Sequence, residues 1–471
     1  MFRKLNFKVS NKILFVLAIF GIFFSGLAYY FGFLALPGIV DDKIWEMKVL
    51  KEGTEQWGMF MKMPFPFTFK VYIYNIKNPD DIMEGAKPVM EELGPFVYKV
   101  YKWKSEVKRD EMDGEISYNE YQRYEFDKEA SGKYNEDDVV TVMNSPYLTM
   151  FYKVQDLQPQ MVPMLDQSTT PIFGENDGPF MKVKVSDYMF KGVKICEHGA
   201  KDDMLANMAC KEVAKKKNNS HLGRFTIKSG LQKKEDAGTL TKYDGKPYTK
   251  IWKGGNSICN KIRGVTTIFP TKVNQNMTFD AYSEDICRSM TLAYQRPEVV
   301  KGVTGFRFVV KNDTFDYSEE ENQCFCTNQT KDASPLTGCM KNGLCDLSTC
   351  TGGPVILSFP HLLYADPEHA NGVDGLKPNQ SDHETFVVLE PLSGFPLKLA
   401  QRVQFNIFLR PIDGASKLQN STILDDKLIG MLNTKLFKTL KTATIIKWFV
   451  MISGLGCTVL SLCLYIYKRC P

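Results

Sequence analysis

The chain has 471 residues, of which 44% are hydrophobic, and its 59 basic and 54 acidic residues give a formal net charge of +5. This length is enough for one large domain or two ordinary ones, each with its own core. The small positive excess, without a stripe of basic and aromatic residues, excludes the composition of a typical nucleic-acid-binding protein.

The first predicted element is a membrane-spanning helix at 13–36, where no residue is charged. As a helix it is roughly 36 Å long, enough to cross a hydrocarbon core of about 30 Å. A cleaved signal peptide is the alternative, but its apolar core is only about 7–15 residues long. Basic residues precede the segment and Asp41 and Asp42 follow it, so the positive-inside rule places residues 1–12 in the cytosol.

The long middle region, 37–443, is predicted to be one β-rich domain outside the cell. Residues 68–76 are aromatic and β-branched with apolar side chains on both faces, which predicts a strand buried on both sides. In 403–409, apolar residues alternate with Gln404 and Asn406, which predicts a half-exposed strand. Further strands are predicted at 116–126, 355–359 and 386–390.

The stretch 145–165 departs from the strand pattern. Ser145 is a predicted N-cap with a proline at the first helical position, and Pro159 and Pro163 are expected to interrupt the helix. Periodicity alone leaves two interpretations open, a stripe packed on the core and an adaptable, Met-rich binding surface. A second helix is expected at about 202–217. The apolar stripe of the first consists of Tyr147, Met150, Phe151, Val154 and Leu157.

Covalent signals agree with an exported middle region. Nine of the 12 cysteines lie between the two charge-free segments, and an oxidising compartment pairs most such cysteines. Six glycosylation sequons lie in the same region. They are Asn218, Asn276, Asn312, Asn328, Asn379 and Asn420.

The last predicted element is a second membrane span at 444–467, in which residues 448–467 carry no charge. This run is about the minimum length for a span. A buried core helix is the alternative, but Lys468 and Arg469 directly after the run argue against it and place residues 468–471 in the cytosol. Cys470 is a palmitoylation candidate, with a plain reduced thiol as the alternative.

No catalytic or metal-binding motif is present. The sequence has no GxSxG, HExxH, P-loop or dinucleotide fingerprint, and its five histidines lie at no regular metal-ligand spacing. Cys324 and Cys326 are too close together for the usual zinc motif. We interpret His361 as a hydrogen-bonded core residue rather than a base. We therefore expect no enzyme activity, no cofactor and no metal.

A series of motifs follows in order along the chain. Together they resemble the class B scavenger receptor family over nearly the whole sequence, both predicted spans included. Residues 224–238, RFTIKSGLQKKEDAG, are most similar to the insect sensory neuron membrane proteins of that family. The motifs are MPFPFTFKVYIYNIKNP at 63–79, GAKPVMEELGPFVY at 85–98, VSDYMFKGV at 185–193, CNKIRG at 259–264, DICRS at 285–289, CFC at 324–326, SFPHLLYADP at 358–367, DGLKPN at 374–379, HETFVVLEPLSGFPL at 383–397 and AQRVQFN at 400–406.

The resemblance implies an α+β membrane protein. Two transmembrane helices flank a large β-barrel-like ectodomain with a helical apex and an apolar tunnel, through which lipids pass towards the bilayer. It places the stretch 145–165 in the apex and makes its stripe a set of ligand-binding candidates. Lys153 on the same helix then either meets a lipid headgroup or stays solvated.

The resemblance also implies disulfides. Carried over by position, the pairs are Cys259–Cys324, Cys287–Cys350 and Cys326–Cys339, and each is worth about 2–4 kcal/mol. Cys196 and Cys210 are left as a fourth pair. Cys345 is then odd, either free or competing for Cys350.

Three features depart from the family pattern or qualify it. Gly264-Val265-Thr266 stands where the family often has Gly-Thr-Asp, and Phe269-Pro270-Thr271 stands where it has Phe-Pro-Pro-Phe. The acidic stretch 174–178 lies roughly where scavenging members carry a lysine-bearing loop, which argues against uptake of anionic lipoproteins. The C-terminal tail lacks a dileucine sorting signal, which favours the plasma membrane.

Two functions of different classes are open. The first is a cell-surface receptor that captures fatty-acyl compounds, lipid pheromones among them, and passes them to the membrane or to a neighbouring odorant receptor. The second is a scavenger or adhesion receptor that recognises apoptotic cells, microbes or protein partners without lipid transport. No motif supports a third, an extracellular hydrolase. The expected partners are a lipid ligand and the cell membrane, not nucleic acid.

Overall fold

The computed structural model describes residues 35–418 apart from 197–205, 207–209, 211–221, 267 and 327–338, together with residues 23, 29 and 30. The α-helices are α1 Leu36–Glu46, α2 Glu55–Met61, α3 Pro79–Met83, α4 Lys128–Ser131, α5 Ser145–Leu157, α6 Val162–Gln167, α7 Thr169–Phe173, α8 Ser348–Thr351, α9 Pro367–Asn371 and α10 Gln380–His383. The strands are β1 Phe67–Ile76, β2 Met90–Asp110, β3 Glu115–Phe126, β4 Val139–Met143, β5 Phe180–Lys184, β6 Arg224–Lys228, β7 Leu240–Tyr243, β8 Thr278–Ser283, β9 Arg288–Val300, β10 Val303–Val310, β11 Cys345–Asp346, β12 Ile356–Ser358, β13 Phe386–Leu389, β14 Pro396–Ala400 and β15 Gln404–Asn406.

Two antiparallel five-stranded sheets dominate the described residues. The first sheet has the strand order β1-β2-β3-β6-β7, and the second has the order β14-β13-β10-β9-β8. A three-stranded sheet, β11-β12-β15, and the pair β4-β5 complete the β structure. Because β2 has 21 residues, it is long enough to pair with β1 near its start and with β3 near its end.

The segment 264–265 joins the two large sheets along one side. The N–H of Leu240 in β7 donates to Gly264 O (2.9 Å), and the N–H of Val265 donates to Asp280 O in β8 (2.8 Å). A Cβ on Gly264 would lie 2.3 Å from Asp280 O, so this position needs glycine. The strands therefore form a sheet-rich, half-barrel arrangement, which confirms the predicted fold class to this extent.

A helical region, residues 145–176, has a core of its own. Its fully buried side chains pack against the chain segment 407–418, which contributes Ile412, Ala415 and Leu418. Arg410 in that segment makes two hydrogen bonds to the Asp156 carboxylate, at 3.0 and 3.2 Å. Residues more than 200 positions apart thus hold the helices in place, since charge-assisted hydrogen bonds are stronger than neutral ones.

The predicted strand 68–76 forms as β1, but the prediction that it is buried on both sides is wrong. Phe69 and Tyr72 keep 36% and 47% of their surface exposed. The reason is that only one face of β1 packs on the core: Val71 and Ile73 are buried, whereas Thr68, Lys70 and Tyr72 on the other face are exposed.

The predicted strand 403–409 is shorter, β15, and its alternation is the reverse of its hydropathy. Gln404 is buried, whereas Phe405 is 53% exposed. Gln404 points inward because its Oε1 accepts the N–H of His361 (2.7 Å) and its Nε2 donates to Asn406 (2.6 Å).

The predicted membrane spans lie almost wholly outside the described residues, as does the predicted helix at 202–217, from which only Ala206 and Cys210 are described. Within the described part of the chain, no helix combines the length and the apolar character that crossing a bilayer requires.

Candidate functional site

The predicted binding helix forms as α5, with its N-cap one residue earlier than predicted. Asn144 is the N-cap, because its Oδ1 accepts the N–H of Tyr147 (3.2 Å), and Ser145 is the first helical residue. Tyr147 and Phe151 are fully buried in the core of the helical region. They therefore support this region from within and do not reach its surface.

The other candidates on α5 lie nearer the surface. Met150 and Val154 are partly buried against the same core, and Lys153 is exposed. Leu157 is 80% exposed, and Met164 of α6 is 52% exposed. The helical region thus presents Lys153 and Leu157 of α5 and Met164 of α6 at its surface, and the part of the α5 residues in ligand binding stays a prediction.

The acidic stretch 174–178 is partly neutralised. Asp177 lies 2.7 Å from the Lys417 ammonium and accepts a hydrogen bond from Thr170 Oγ1 (2.6 Å). These contacts outweigh burial and hold the pKa of Asp177 below its ordinary value. Glu175 stays exposed, so this stretch presents less negative charge than its sequence suggests.

Four disulfides are formed, the three that the family resemblance implies and the fourth pair that it left over. They are Cys196–Cys210, Cys259–Cys324, Cys287–Cys350 and Cys326–Cys339. Cys345 is free and fully buried.

Three of the six sequons lie in the described residues. Asn276, Asn312 and Asn379 are all exposed, as a glycan requires. Asn218, Asn328, Asn420 and the palmitoylation candidate Cys470 lie outside the described residues.

His361 is a buried, hydrogen-bonded residue. Its Nδ1 accepts the N–H of Lys377 (3.1 Å), and its Nε2 lies 3.1 Å from Glu92. Its ring stacks on His383 at a centroid distance of 4.3 Å. Burial lowers the pKa of His361, so the ring is neutral at physiological pH. In the described residues, no group of three or more potential ligands could hold a metal ion.

An aromatic wall covers part of the first sheet's inward face. It consists of Phe69, Tyr98, Tyr124, Phe126 and Phe190. The strands supply four rings, and Phe190 comes from the π-helical turn Asp187–Lys191. Phe190 lies with its ring centroid 4.7 Å from Tyr98 and 4.6 Å from Tyr124. Although it packs in this group, Phe190 keeps 39% of its surface exposed.

Charged residues continue the same face beyond the wall. Lys102 and Lys104 of β2 both contact Glu120 of β3, at 3.0 and 3.4 Å. Lys104 is buried over the rings of Phe60 and Tyr118, at 4.5 and 5.1 Å. Burial lowers the pKa of Lys104. The side chain of Lys102 is 34% exposed, and Glu120 holds its pKa above the ordinary value despite burial.

The turn between β8 and β9 brings two more carboxyl groups to this place. Burial raises the pKa of Glu284 to about 7, although Lys102 acts in the opposite direction. Burial also raises the pKa of Asp285, again against the effect of Lys102. The charges of Lys102, Glu284 and Asp285 all act on the pKa of Tyr124 in the aromatic wall. We call Lys102, Lys104, Glu120, Glu284 and Asp285 the interior charge cluster.

Replacing Glu284 with glutamine should stabilise the protein at high pH. Because the folded-state pKa, about 7, is above the unfolded value, ionised Glu284 opposes folding above pH 7, and the penalty disappears as pH falls to about 4.5. At about pH 8 we expect the free energy of unfolding of E284Q to exceed that of wild type by about 2 kcal/mol. This value is smaller than the full pKa shift would give, because Glu284 is partly exposed to solvent. The two proteins should match at about pH 4.5.

The measurement is denaturant unfolding of both proteins across this pH range. Glu125 on the outer face of β3, with a 58% exposed side chain, provides the control variant E125Q. A constant difference between E284Q and wild type at all pH values would contradict the assignment.

Sequence reasoning missed the interior charge cluster, but a signal for two of its five residues, Lys102 and Lys104, is present. In β2, alternation places Lys102 and Lys104 on the same face as Tyr98 and Val100, and charged side chains on a core-facing series are unusual. No local pattern connects this face with Glu284.

Comparisons with known proteins agree with one another. A sequence profile of the CD36 family matches residues 18–465. Sensory neuron membrane protein 2 of Drosophila melanogaster is 28% identical, with 96% of this chain and 97% of that protein covered. Sensory neuron membrane protein 1 of Plutella xylostella is 29% identical, with coverages of 96% and 91%. Sensory neuron membrane protein 2 of Anopheles gambiae is 27% identical, with coverages of 93% and 90%.

Proposed function

The chain belongs to the CD36 family of class B scavenger receptors, and from that premise we propose that it is a cell-surface receptor for lipid-like ligands. It captures long-chain fatty-acyl compounds and holds their apolar chains against the aromatic wall. It then passes them to the membrane. Binding and transfer break no bond, so the function needs no catalytic group.

The aromatic wall carries this proposal. Five packed rings with two members, Phe69 and Phe190, more than a third exposed form an apolar surface on the side of the sheet that faces the protein's interior. Each methylene that leaves water for such a surface contributes about 0.8 kcal/mol. An aliphatic chain lying along the wall therefore gains affinity in proportion to its length.

The interior charge cluster supports an internal space beside the wall. The Asp285 side chain is exposed, yet the protein around it raises its pKa above the ordinary value. Both properties occur together when a side chain lines an enclosed space. Lys102, a third of whose side chain is exposed between the sheets, fits the same description. We propose that this space belongs to the ligand's path.

The ligand's point of access is proposed to be the helical region. Lys153 and Leu157 are exposed on α5 and suit an amphiphile's headgroup and chain. On this proposal the two predicted spans at 13–36 and 444–467 cross the plasma membrane with both termini cytosolic.

The relatives named above are sensory neuron membrane proteins, and we propose a related sensory role for this chain. Lipid pheromones are then among its ligands, and a neighbouring odorant receptor is a candidate acceptor.

The test is photo-crosslinking in cells that express the full chain, with a clickable, photoactivatable fatty-acid analogue. We expect saturable labelling that unlabelled fatty acids displace, with crosslinked peptides that contain Tyr124 or Phe190. A chain that reaches the cell surface but shows no displaceable labelling would refute the lipid receptor and favour the adhesion receptor.

A further inference from the structure

A polar pocket of about 270 Å³ lies on the second sheet, away from the interior charge cluster. Arg307 of β10 forms its floor and projects from the sheet face opposite to Phe306 and Phe308, which belong to the main core. The pocket is thus on the other side of the sheet from that core.

The floor of the pocket is rigidly built. The Arg307 guanidinium, whose side chain is only 4% exposed, lies 3.5 Å from the centroid of the Phe386 ring. It donates to Gln295 Oε1 (2.9 Å) and Glu298 Oε2 (3.1 Å), and lies 3.6 Å from Glu384. These contacts fix the position of one positive charge before any ligand arrives.

The pocket has a surplus of positive charge. Arg296, Arg307, Lys398 and Arg402 line it, against the two carboxylates of Glu298 and Glu384. Burial and then repulsion by Arg307 lower the pKa of Arg402, while Asp382, outside the lining, acts the other way.

The rim presents donors that are free to meet a ligand. The side chains of Arg296 and Lys398 are 57% and 53% exposed. Arg296 contacts Glu298 only at 3.6 Å, and Lys398 has one contact with the same residue at 3.1 Å. Arg296 can therefore turn towards an anion without breaking a hydrogen bond. Lys398 donates to Glu298 Oε1 and lies 5.3 Å from the centroid of the Phe386 ring, so it would meet an anion through the remaining donors of its ammonium group.

We propose that this pocket binds a small organic molecule through a phosphate monoester group. Two surplus positive charges match the charge of about −1.5 to −2 that a phosphate monoester carries at pH 7. Arginine forks and lysine are the usual donors to its oxygens. The volume of about 270 Å³ is just below the roughly 300–1,000 Å³ of drug-sized sites, so it suits a headgroup-sized molecule. The inference is independent of the lipid path.

The test is isothermal titration calorimetry of the full chain in nanodiscs with glycerol 3-phosphate, and with glycerol as the uncharged comparison. We expect saturable binding of the phosphate alone, weakened about tenfold or more in R296Q and in K398Q, since each removes a charge-assisted contact.

The chain offers a matched control for each variant. Arg123 also has an exposed side chain with a long contact, 3.8 Å, to the glutamate two residues on, and Lys99 contacts Asp127 at 3.0 Å across a strand pair. R123Q and K99Q should bind as wild type does. No saturable binding by the folded chain, or equal losses in the pocket and control variants, would overturn the proposal.

A second arm identifies the source of the phosphate. Short-chain phosphatidic acid carries the same phosphoglycerol group as a lipid. Tighter binding than that of glycerol 3-phosphate, lost in R296Q, identifies a lipid headgroup as the ligand, whereas equal affinity identifies a free phosphate ester.

Discussion

Replacing Arg307 with methionine is expected to lower the free energy of unfolding by about 3–5 kcal/mol, the usual cost of breaking a buried ion pair from one side. The Arg307 side chain is 4% exposed and forms ion pairs with Glu298 and Glu384, whose side chains are 17% and 5% exposed. Methionine keeps the apolar contact with Phe386 but leaves both carboxylates without their buried partner. Thermal and denaturant unfolding of the full chain in nanodiscs, followed by tryptophan fluorescence, measure the loss.

The neighbouring variant R296M is the control, because Arg296 lies in the same pocket with a 57% exposed side chain. It should change stability by less than about 1 kcal/mol. Adding E384Q to R307M should recover part of the loss, since it removes the charge of Glu384, which R307M leaves without its buried cation. If R307M unfolds as R296M does, Arg307 is not the centre of this network.

Replacing Phe190 with glutamate is expected to reduce fatty-acyl crosslinking about tenfold or more. The new charge lies between Tyr98 and Tyr124. In the wild type, the ring centroid of Phe190 is 4.7 Å from that of Tyr98 and 4.6 Å from that of Tyr124. A charge at this position removes the apolar contact of about two or three methylene groups of the ligand chain. Each lost contact lowers the binding free energy by about 0.8 kcal/mol. The readout is displaceable labelling per molecule of receptor at the cell surface.

Two variants separate a binding effect from a folding effect. F190L keeps the wall apolar and should retain labelling. F405E places the same charge on another partly exposed phenylalanine, 53% exposed in β15, and should label as wild type does. Loss of labelling in F405E as well, or full labelling in F190E, would remove the aromatic wall from the proposed path.

Two kinds of polar interior coexist in this fold for different reasons. In the Arg307 network the guanidinium contacts Glu298 at 3.1 Å and lies 3.6 Å from Glu384, so its charge is compensated within the network. The interior charge cluster is less balanced, since burial raises the pKa of both Glu284 and Asp285. Such groups oppose folding when they are ionised.

Some errors of the sequence interpretation come from the rule that apolar side chains point inward. Phe405 is exposed and Gln404 is buried, because a hydrogen bond to His361, 43 residues away, decides which face of β15 points inward. The apolar stripe of α5 was partly a core stripe, since Tyr147 and Phe151 are fully buried. In both cases the predicted periodicity was correct, but the surface on which the element packs determined which of its side chains are buried.

Sequence alone identifies the family, through motifs in order over nearly the whole chain, and predicts the positions of β1, β3, β13 and α5 to within a few residues. These features depend on periodicity, turn residues and neighbours in the chain, which are local. Tertiary contacts determine which faces are buried, that the charge of Lys102 acts on Glu284, and that Arg307 and Arg402 share a pocket with Glu384. The physical reason is that burial and charge pairing are properties of surfaces in contact, and residues far apart in the chain form those surfaces.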